Sequence, residues 1–553
     1  MNKKLLFQII FVTILTLGCS KNNTKLKYIS NNHIELEKAI SYFKQEGNKE
    51  KLDAAYYIIE NLEGNSFPAC KVFDQYEPLF DLLDSLGKNG IDKRKKDSNE
   101  PIDIINNKWA SLQKHIGTMN KVDYFKDIDF ITSDYIIGNV NLAYKVWKEN
   151  PWCKHVSFSE FCEYILPYKV LDEPFEKWRE YFINRYSWLK DSLKNKYDPV
   201  EACRLIDKDV SGWFKFNSLF YKFPHNIGFS HLIKGKVGVC PQMVVITAYA
   251  ARAVGIPVAI DFIPNYGNRR GKHMWLAVLD TDNNFVPFNA AGAEWLPFGS
   301  INCNNTWRNK ITKVFRKSLV IQKKCLNEIA TDKNEVPTIL NDNKYIDVTA
   351  EYIPVTDVAI NLKKFKDEIF EFAYLCVFNN KEWVPVHWGN INNSVVTFTK
   401  MGRDVVYMPV YCLNGSLIPA NDPFILAKDG NITMIEKYKG IVQSIKLLDK
   451  YPWYITQRKD TANKILKGDI YELLYWENEW KSLGRTSVAE KDAIIKSFGF
   501  DFHIAELLEG TKGKGFIVYK DIPVGVLFWL RDLTRGNDER IFTINENGEL
   551  VWW

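Results

Sequence analysis

The sequence predicts a multidomain α+β protein with a helical N-terminal region, an α+β core and C-terminal β-sandwich-type domains. Three observations predict this. From about residue 25 to 230, apolar residues recur at helical spacing. Between Gly235 and Gly292 one helix-like stretch is followed by strand-like runs. After about residue 345, short β-branched and aromatic runs alternate with turn signals such as Asn414-Gly415 and Asp429-Gly430. A length of 553 residues allows three or four domains, and 46% hydrophobic with 25% charged residues is an ordinary globular balance.

The first residues read MNKKLLFQIIFVTILTLGCS. Lys3 and Lys4 form a positive n-region, and the apolar run Leu5 to Leu17 is too short to span a bilayer as a helix. Leu17-Gly18-Cys19 resembles a bacterial lipobox, which implies cleavage before Cys19 and lipid attachment to its sulfur. Residues 1–18 are therefore expected to be a signal peptide and 19–30 a lipidated tether. The expected location is the cell envelope, with the chain held to the membrane by its N-terminal lipid. No acidic run follows Cys19, which favours the periplasm-facing side of the outer membrane.

Residues 31–200 are expected to form a helical domain. Leu36 to Phe43 and Leu52 to Leu62 carry apolar residues at helical spacing, and Ser133-Asp134 is placed to cap a helix running to about Trp147. A further helix runs from Ser157 to its stop at Pro167, and Glu173-Pro174 is placed to open another through Tyr186. The aromatic residues here read as helix-packing core.

The core, residues 201–330, contains the stretch with chemistry in it. Gly235 to Gly238 forms a turn, Cys240-Pro241 follows, and Val244 to Val254 is free of helix breakers up to Gly255. Pro suits the first helical position and Gly the position just past the end. This puts Cys240 at or just before a helix N-terminus, where unpaired N–H groups and the helix dipole lower a thiol's pKa. Val258 to Ile263 and His273 to Leu279 read as strands, Asp280 to Asn284 as a hairpin turn, and Phe285 to Asn289 as the returning strand. His273 and Asn289 fall near the open end of that hairpin. A thiolate, an imidazole that takes and returns its proton, and a third polar group orienting the ring form an activated cysteine.

These residues resemble the transglutaminase-like superfamily. The shared pattern is Gly-x-Cys on a helix, then Gly255-Ile256-Pro257, then His-x-Trp on a strand, then a third residue on the returning strand. The resemblance implies a papain-like core with Cys240 as nucleophile, His273 as base and Asn289 as third member. The superfamily usually carries Asp at that last position. Asn orients a neutral imidazole but does not neutralise an imidazolium; Asp280 and Asp282 are substitutes in principle, placed at the far end of the hairpin. Gln242, in the first helical turn, and Trp275, beside the base, are candidate substrate-binding residues. Backbone N–H groups at Cys240 are the preferred oxyanion donors. His225 and His231 read as structural, and Arg269 and Arg270 lie on the loop before His273. The helical region is similar, more loosely, to the one preceding the catalytic core in exported lipoproteins of Bacteroidetes-type bacteria.

The net charge of +6 is too small and too dispersed to argue for nucleic acid. The basic run Lys93 to Lys96 is interleaved with acids and reads as a solvated loop. Ten cysteines include no C-x-x-C pair and no Cys/His cluster with zinc spacing, so neither a metal nor another cofactor is expected. Several cysteines, such as Cys376 and Cys412, sit in apolar runs and read as buried thiols.

Residues 345–435 are expected to form a β-sandwich domain and 440–553 a second, mixed or β domain, with the polar run Ala330 to Lys344 as the linker. Trp383 and Trp388 either pack in the sandwich core or stack on sugar rings. Two readings of function follow. One is an exported, lipid-anchored cysteine hydrolase or acyltransferase that acts on a peptide, protein or cell-wall-like amide through an acyl-thioester. The other is a catalytically idle transglutaminase-like fold whose C-terminal β-domains bind carbohydrate or a partner protein.

Overall fold

The structure, a computed structural model, describes residues 32–69, 74–87, 100–116, 123–223, 226–292, 309–366, 368–435, 442–447, 469–487, 494–497, 500–505, 516–523, 525–534, 540–545, 547 and 550–553. The leader, Cys19 and the tether, Cys70, the Lys93–Lys96 run, His225 and Cys303 lie outside the described residues. The chain is a mixed α+β multidomain protein in two compact units. One is Met1–Ala259 with Leu276–Trp295, the other Ile260–Trp275 with Leu296–Trp553. Among the described residues no helix is long and apolar enough to cross a membrane.

The first unit is built from helices whose apolar stripes the sequence marks. The helix His33–Glu46 buries Leu36, Ala39, Ile40 and Phe43, one face at helical spacing. Lys49–Glu60 begins where the Asn48 side chain accepts the Lys51 N–H at 3.1 Å. The helix Ser133–Glu149 is capped by Thr132, one residue before the expected cap. The reason is local: the hydroxyl and the backbone N–H of Ser133 both donate to the Glu35 carboxylate, at 2.7 and 2.8 Å. Phe158–Tyr164 opens on a reciprocal capping box between Ser157 and Glu160.

Glu173 does not open a helix, contrary to expectation; the helix there is Arg179–Arg185. The buried Glu173 carboxylate instead accepts the N–H groups of Val170 and Leu171, each at 2.7 Å, and the Tyr249 hydroxyl at 2.6 Å. These bonds hold a turn where a helix start would have been. The helix Pro199–Trp213 went unpredicted, although Asp198-Pro199 is a capping signal: Asp198 accepts the N–H groups of Val200 and Glu201.

At the centre of this unit lies Cys240–Ala253, buried continuously from Val244 to Ala253. It packs against Ser133–Glu149, Arg179–Arg185 and Pro199–Trp213. Trp178 stacks on Tyr249 with ring centroids 4.4 Å apart. The helix ends at Gly255, whose φ of +85° and whose approach to Cys153 and Val146 leave no room for a Cβ. Leu276 to Leu279 pairs antiparallel with Phe285 to Phe288, and the Leu279 N–H donates to the Pro257 carbonyl at 3.0 Å.

In the second unit Asp261 and Phe262 pair with Arg316 and Phe315. Phe315–Lys317 then pairs with Tyr345–Asp347. Tyr345–Asp347 was expected in the sandwich; its backbone partners place it in this sheet instead. An eight-stranded antiparallel sheet follows, ordered Val355–Asn361, Val395–Gly402, Glu382–Asn392, Phe372–Asn379, Val405–Leu413, Phe424–Leu426, Ile432–Met434, with Ser416–Pro419 pairing alongside Val405–Leu413. Phe372–Asn379 is buried on both faces. Ala373, Leu375 and Val377 join one apolar cluster, while Phe372, Tyr374, Cys376 and Phe378 join another.

That second cluster also takes in Leu474, Trp476, Leu527, Trp529, Ile541 and Trp553 from an antiparallel sheet nearer the C-terminus. Ala330, Val336 and Leu340 belong to it too. The segment expected as a linker is therefore packed down by its few apolar side chains.

Candidate functional site

Cys240 is the first residue of its 14-residue helix, one position earlier than Pro241, which the sequence had suggested as the start. Val239 is the flanking residue, in extended backbone. Gln242 is buried, and its side-chain carbonyl accepts the Val239 N–H at 3.0 Å. Gln242 thus closes the helix start from within through its side-chain carbonyl, a structural role beside the substrate-binding one expected of it. Gly238 must lack a side chain here, since a Cβ would fall 2.4 Å from the Gln242 Cβ.

Cys240 is half-buried, while the other six described cysteines are buried. Burial pushes the thiols of Cys153, Cys162, Cys203, Cys325, Cys376 and Cys412 up from the ordinary range. Those six are inert packing groups, as free cysteines commonly are.

His273 opens the strand His273–Leu279 and is half-buried. The strand passes from the second unit into the first, so His273 precedes Leu276, the partner of Phe288, by three residues. Trp275 is fully buried. Its indole N–H donates to the Tyr352 hydroxyl at 3.1 Å, and the Tyr352 ring meets it edge-on. Trp275 is core and offers no face to a substrate, which corrects the second substrate-binding assignment. It lies 5.8 Å from the His273 ring, centroid to centroid. Tyr352 in turn donates to Asp261, whose carboxylate receives a two-pronged bond from Arg316 at 2.8 and 2.8 Å.

Asn289 directly follows the strand Phe285–Phe288 in a turn closed by the Gly292 N–H on the Asn289 carbonyl, at 3.2 Å. Ala291 in this turn has φ +50°, a left-handed conformation that an alanine rarely holds unaided. The support is Asp207, a residue the sequence reading did not single out. Its carboxylate accepts the Ala291 N–H at 2.6 Å, and the Gly292 N–H also donates to it. Burial pushes the Asp207 carboxyl up to about 7, against the pull of those two N–H groups. A signal existed: Asp207 adjoins Ile206 on the buried stripe of its helix, beside Cys203 and Val210, where an acid is out of place unless something bonds it.

The remaining candidates have structural occupations. Asp280 caps its own turn, accepting the N–H groups of Asp282 and Asn284 at 2.9 and 2.8 Å, at the hairpin end away from Phe288. His231 bonds Glu77 at 2.9 Å. Arg269 donates to Asn309 at 3.3 Å and lies over the Tyr266 ring, while Arg270 is exposed.

Residues 176–290 match the model of the transglutaminase-like superfamily, a span that includes Cys240, His273 and Asn289. The chain thus carries a transglutaminase-like domain at residues 176–290. No curated protein matches the chain. Among solved structures, red sea bream transglutaminase is similar at 10% identity, over 69% of this chain and 78% of that one, with a TM-score of 0.25. So weak a structural likeness carries nothing further, and the assignment of the domain rests on the matched segment 176–290.

Proposed function

We propose that the protein is an exported, lipid-anchored cysteine enzyme that hydrolyses or transfers acyl groups of a peptide or cell-wall-like amide through an acyl-thioester at Cys240. The observation that carries this reading is the contrast among the described thiols: six are buried, and Cys240 is half-buried at the positive end of a helix. In the proposed reaction the Cys240 thiolate attacks the amide carbonyl, and His273, having taken the thiol proton, gives it to the departing amine. Backbone N–H groups at the helix start receive the developing oxyanion. Water or an amine then breaks the thioester. Asn289 orients the imidazole as a neutral partner.

The test is alkylation of the intact protein by iodoacetamide at mildly acid pH, read residue by residue, together with turnover of an amide panel. Cys240 is expected to label faster than an exposed model thiol, and Cys240→Ala to abolish turnover. Labelling no faster than the model thiol, with turnover unchanged by Cys240→Ala, overturns the proposal. Asn289 in place of the family's acid supports the second reading, an idle fold. Rapid labelling of Cys240 without turnover of any amide would favour it.

A further inference from the structure

The second unit contains a cluster of indoles unlike the others among the described residues. Trp383, Trp476, Trp480 and Trp529 meet around Phe378 and Trp480. The rings of Trp383 and Trp480 are parallel to within 6°, and Trp476 stands edge-on to both. Three of the four, Trp383, Trp476 and Trp480, line an open cleft of about 240 Å³, together with Met408, Asn478 and Glu479. That is about eight times the volume of a liquid water, enough for one monosaccharide unit.

All four indole N–H groups are buried without a hydrogen-bond partner. Six other buried indoles among the described residues find acceptors: Trp147, Trp152, Trp178, Trp213, Trp275 and Trp553 each donate to a carbonyl, carboxylate or hydroxyl oxygen. Native proteins rarely leave buried donors unpaired, and here four unpaired donors gather in one place. A wholly apolar occupant would leave the exposed Asn478 and Glu479 at the rim without polar partners. An anionic one would meet the Glu479 carboxylate, the one charge among the lining residues, with no lining cation to offset it. A neutral polyol ring meets the chemistry on every count. Its C–H faces lie on flat indole surfaces, and its hydroxyl groups reach the exposed Asn478 and Glu479 at the rim.

We propose that this cleft binds a neutral carbohydrate, through a hexose or pentose unit of a longer glycan. The site is independent of Cys240. It also differs from a simple pairing of Trp383 with Trp388: Trp388 sits edge-on to Phe372 and does not line the cleft.

The test titrates the full mature chain with neutral oligosaccharides derived from β-glucan, xylan, mannan and chitin, followed by calorimetry and by tryptophan fluorescence. At least one oligosaccharide is expected to bind and to shift the emission. Trp480→Phe keeps an aromatic ring but narrows the flat face offered to the sugar, and is expected to weaken binding severalfold or more. Asn478→Ala, on an exposed turn, tests the rim without touching the core and is expected to weaken binding severalfold. Cys240→Ala is expected to leave binding unchanged, which separates this proposal from the enzymatic one. The proposal is overturned if none of the oligosaccharides binds, or if binding is indifferent to both Trp480→Phe and Asn478→Ala with the near-UV circular dichroism preserved.

Discussion

The Asp207 carboxylate accepts the backbone N–H of Ala291 at 2.6 Å, two residues beyond Asn289. A helix residue far back in the chain thus fixes the turn that carries the third member of the candidate triad. The same carboxyl is held up to about 7 by burial. Between about pH 4, where an unfolded aspartate ionises, and pH 7, the folded state keeps a proton that the unfolded chain has lost. Stability therefore falls as pH rises through that window and levels off above it, by about 4 kcal/mol at most at ~1.4 kcal/mol per pH unit. Asp207→Asn, which retains an acceptor for the Ala291 N–H, is expected to remove this component of the slope. Asp207→Ala also removes it, but costs about 1–3 kcal/mol throughout, because the buried Ala291 N–H loses its acceptor. Urea unfolding from pH 4.5 to 8 reads both effects, and an unchanged slope in Asp207→Asn would refute the assignment.

Gln242 closes the start of the Cys240 helix by accepting the Val239 N–H at 3.0 Å. Gln242→Ala should cost about 1 kcal/mol, the usual effect of losing a cap, and slow the alkylation of Cys240 as the first turn loosens. Gln242→Glu keeps an acceptor at the positive helix end and should retain most of the stability. Thermal unfolding and labelling rates check the pair. If Gln242→Ala unfolds and labels like the unaltered protein, the cap has no role.

What was legible in the sequence is what short-range chemistry dictates. Pro241 and Gly255 bracket a helix, and β-branched runs mark Val258–Ile263 and His273–Leu279 as strands with the bounds expected. What was not legible depends on partners distant in the chain. Glu173 reads as a helix opener until Tyr249, far along the sequence, is seen to bond its carboxylate. Trp275 and Gln242 read as site residues because of their neighbours in sequence, and both are turned to structural tasks by Tyr352 and Val239. Asp207 was missed for the same reason: its acceptor role exists only once Ala291 has been folded against it.

The second unit carries a buried chain of bonds that ends near the candidate base. Arg316 grips Asp261 with two bonds at 2.8 Å, Tyr352 donates to the same carboxylate, and the Trp275 indole donates to Tyr352 at 3.1 Å, two residues past His273. Asp261 and Arg316 are both buried, and Asp261, the largest favourable influence, holds the guanidinium charged against the cost of burial. Asp261→Ala leaves the guanidinium only the more exposed Glu351 carboxylate, at 3.0 Å, and should cost about 3 kcal/mol, the low end for a broken buried pair. Tyr352→Phe leaves the Trp275 N–H without its acceptor and should cost about 1–3 kcal/mol. Because Arg316, Asp261, Tyr352 and Trp275 form one network, the double variant should cost less than the sum of the two. Denaturant unfolding followed by tryptophan emission measures the coupling. Strict additivity of Asp261→Ala and Tyr352→Phe would show that Trp275, and with it the start of the His273 strand, is held by packing alone.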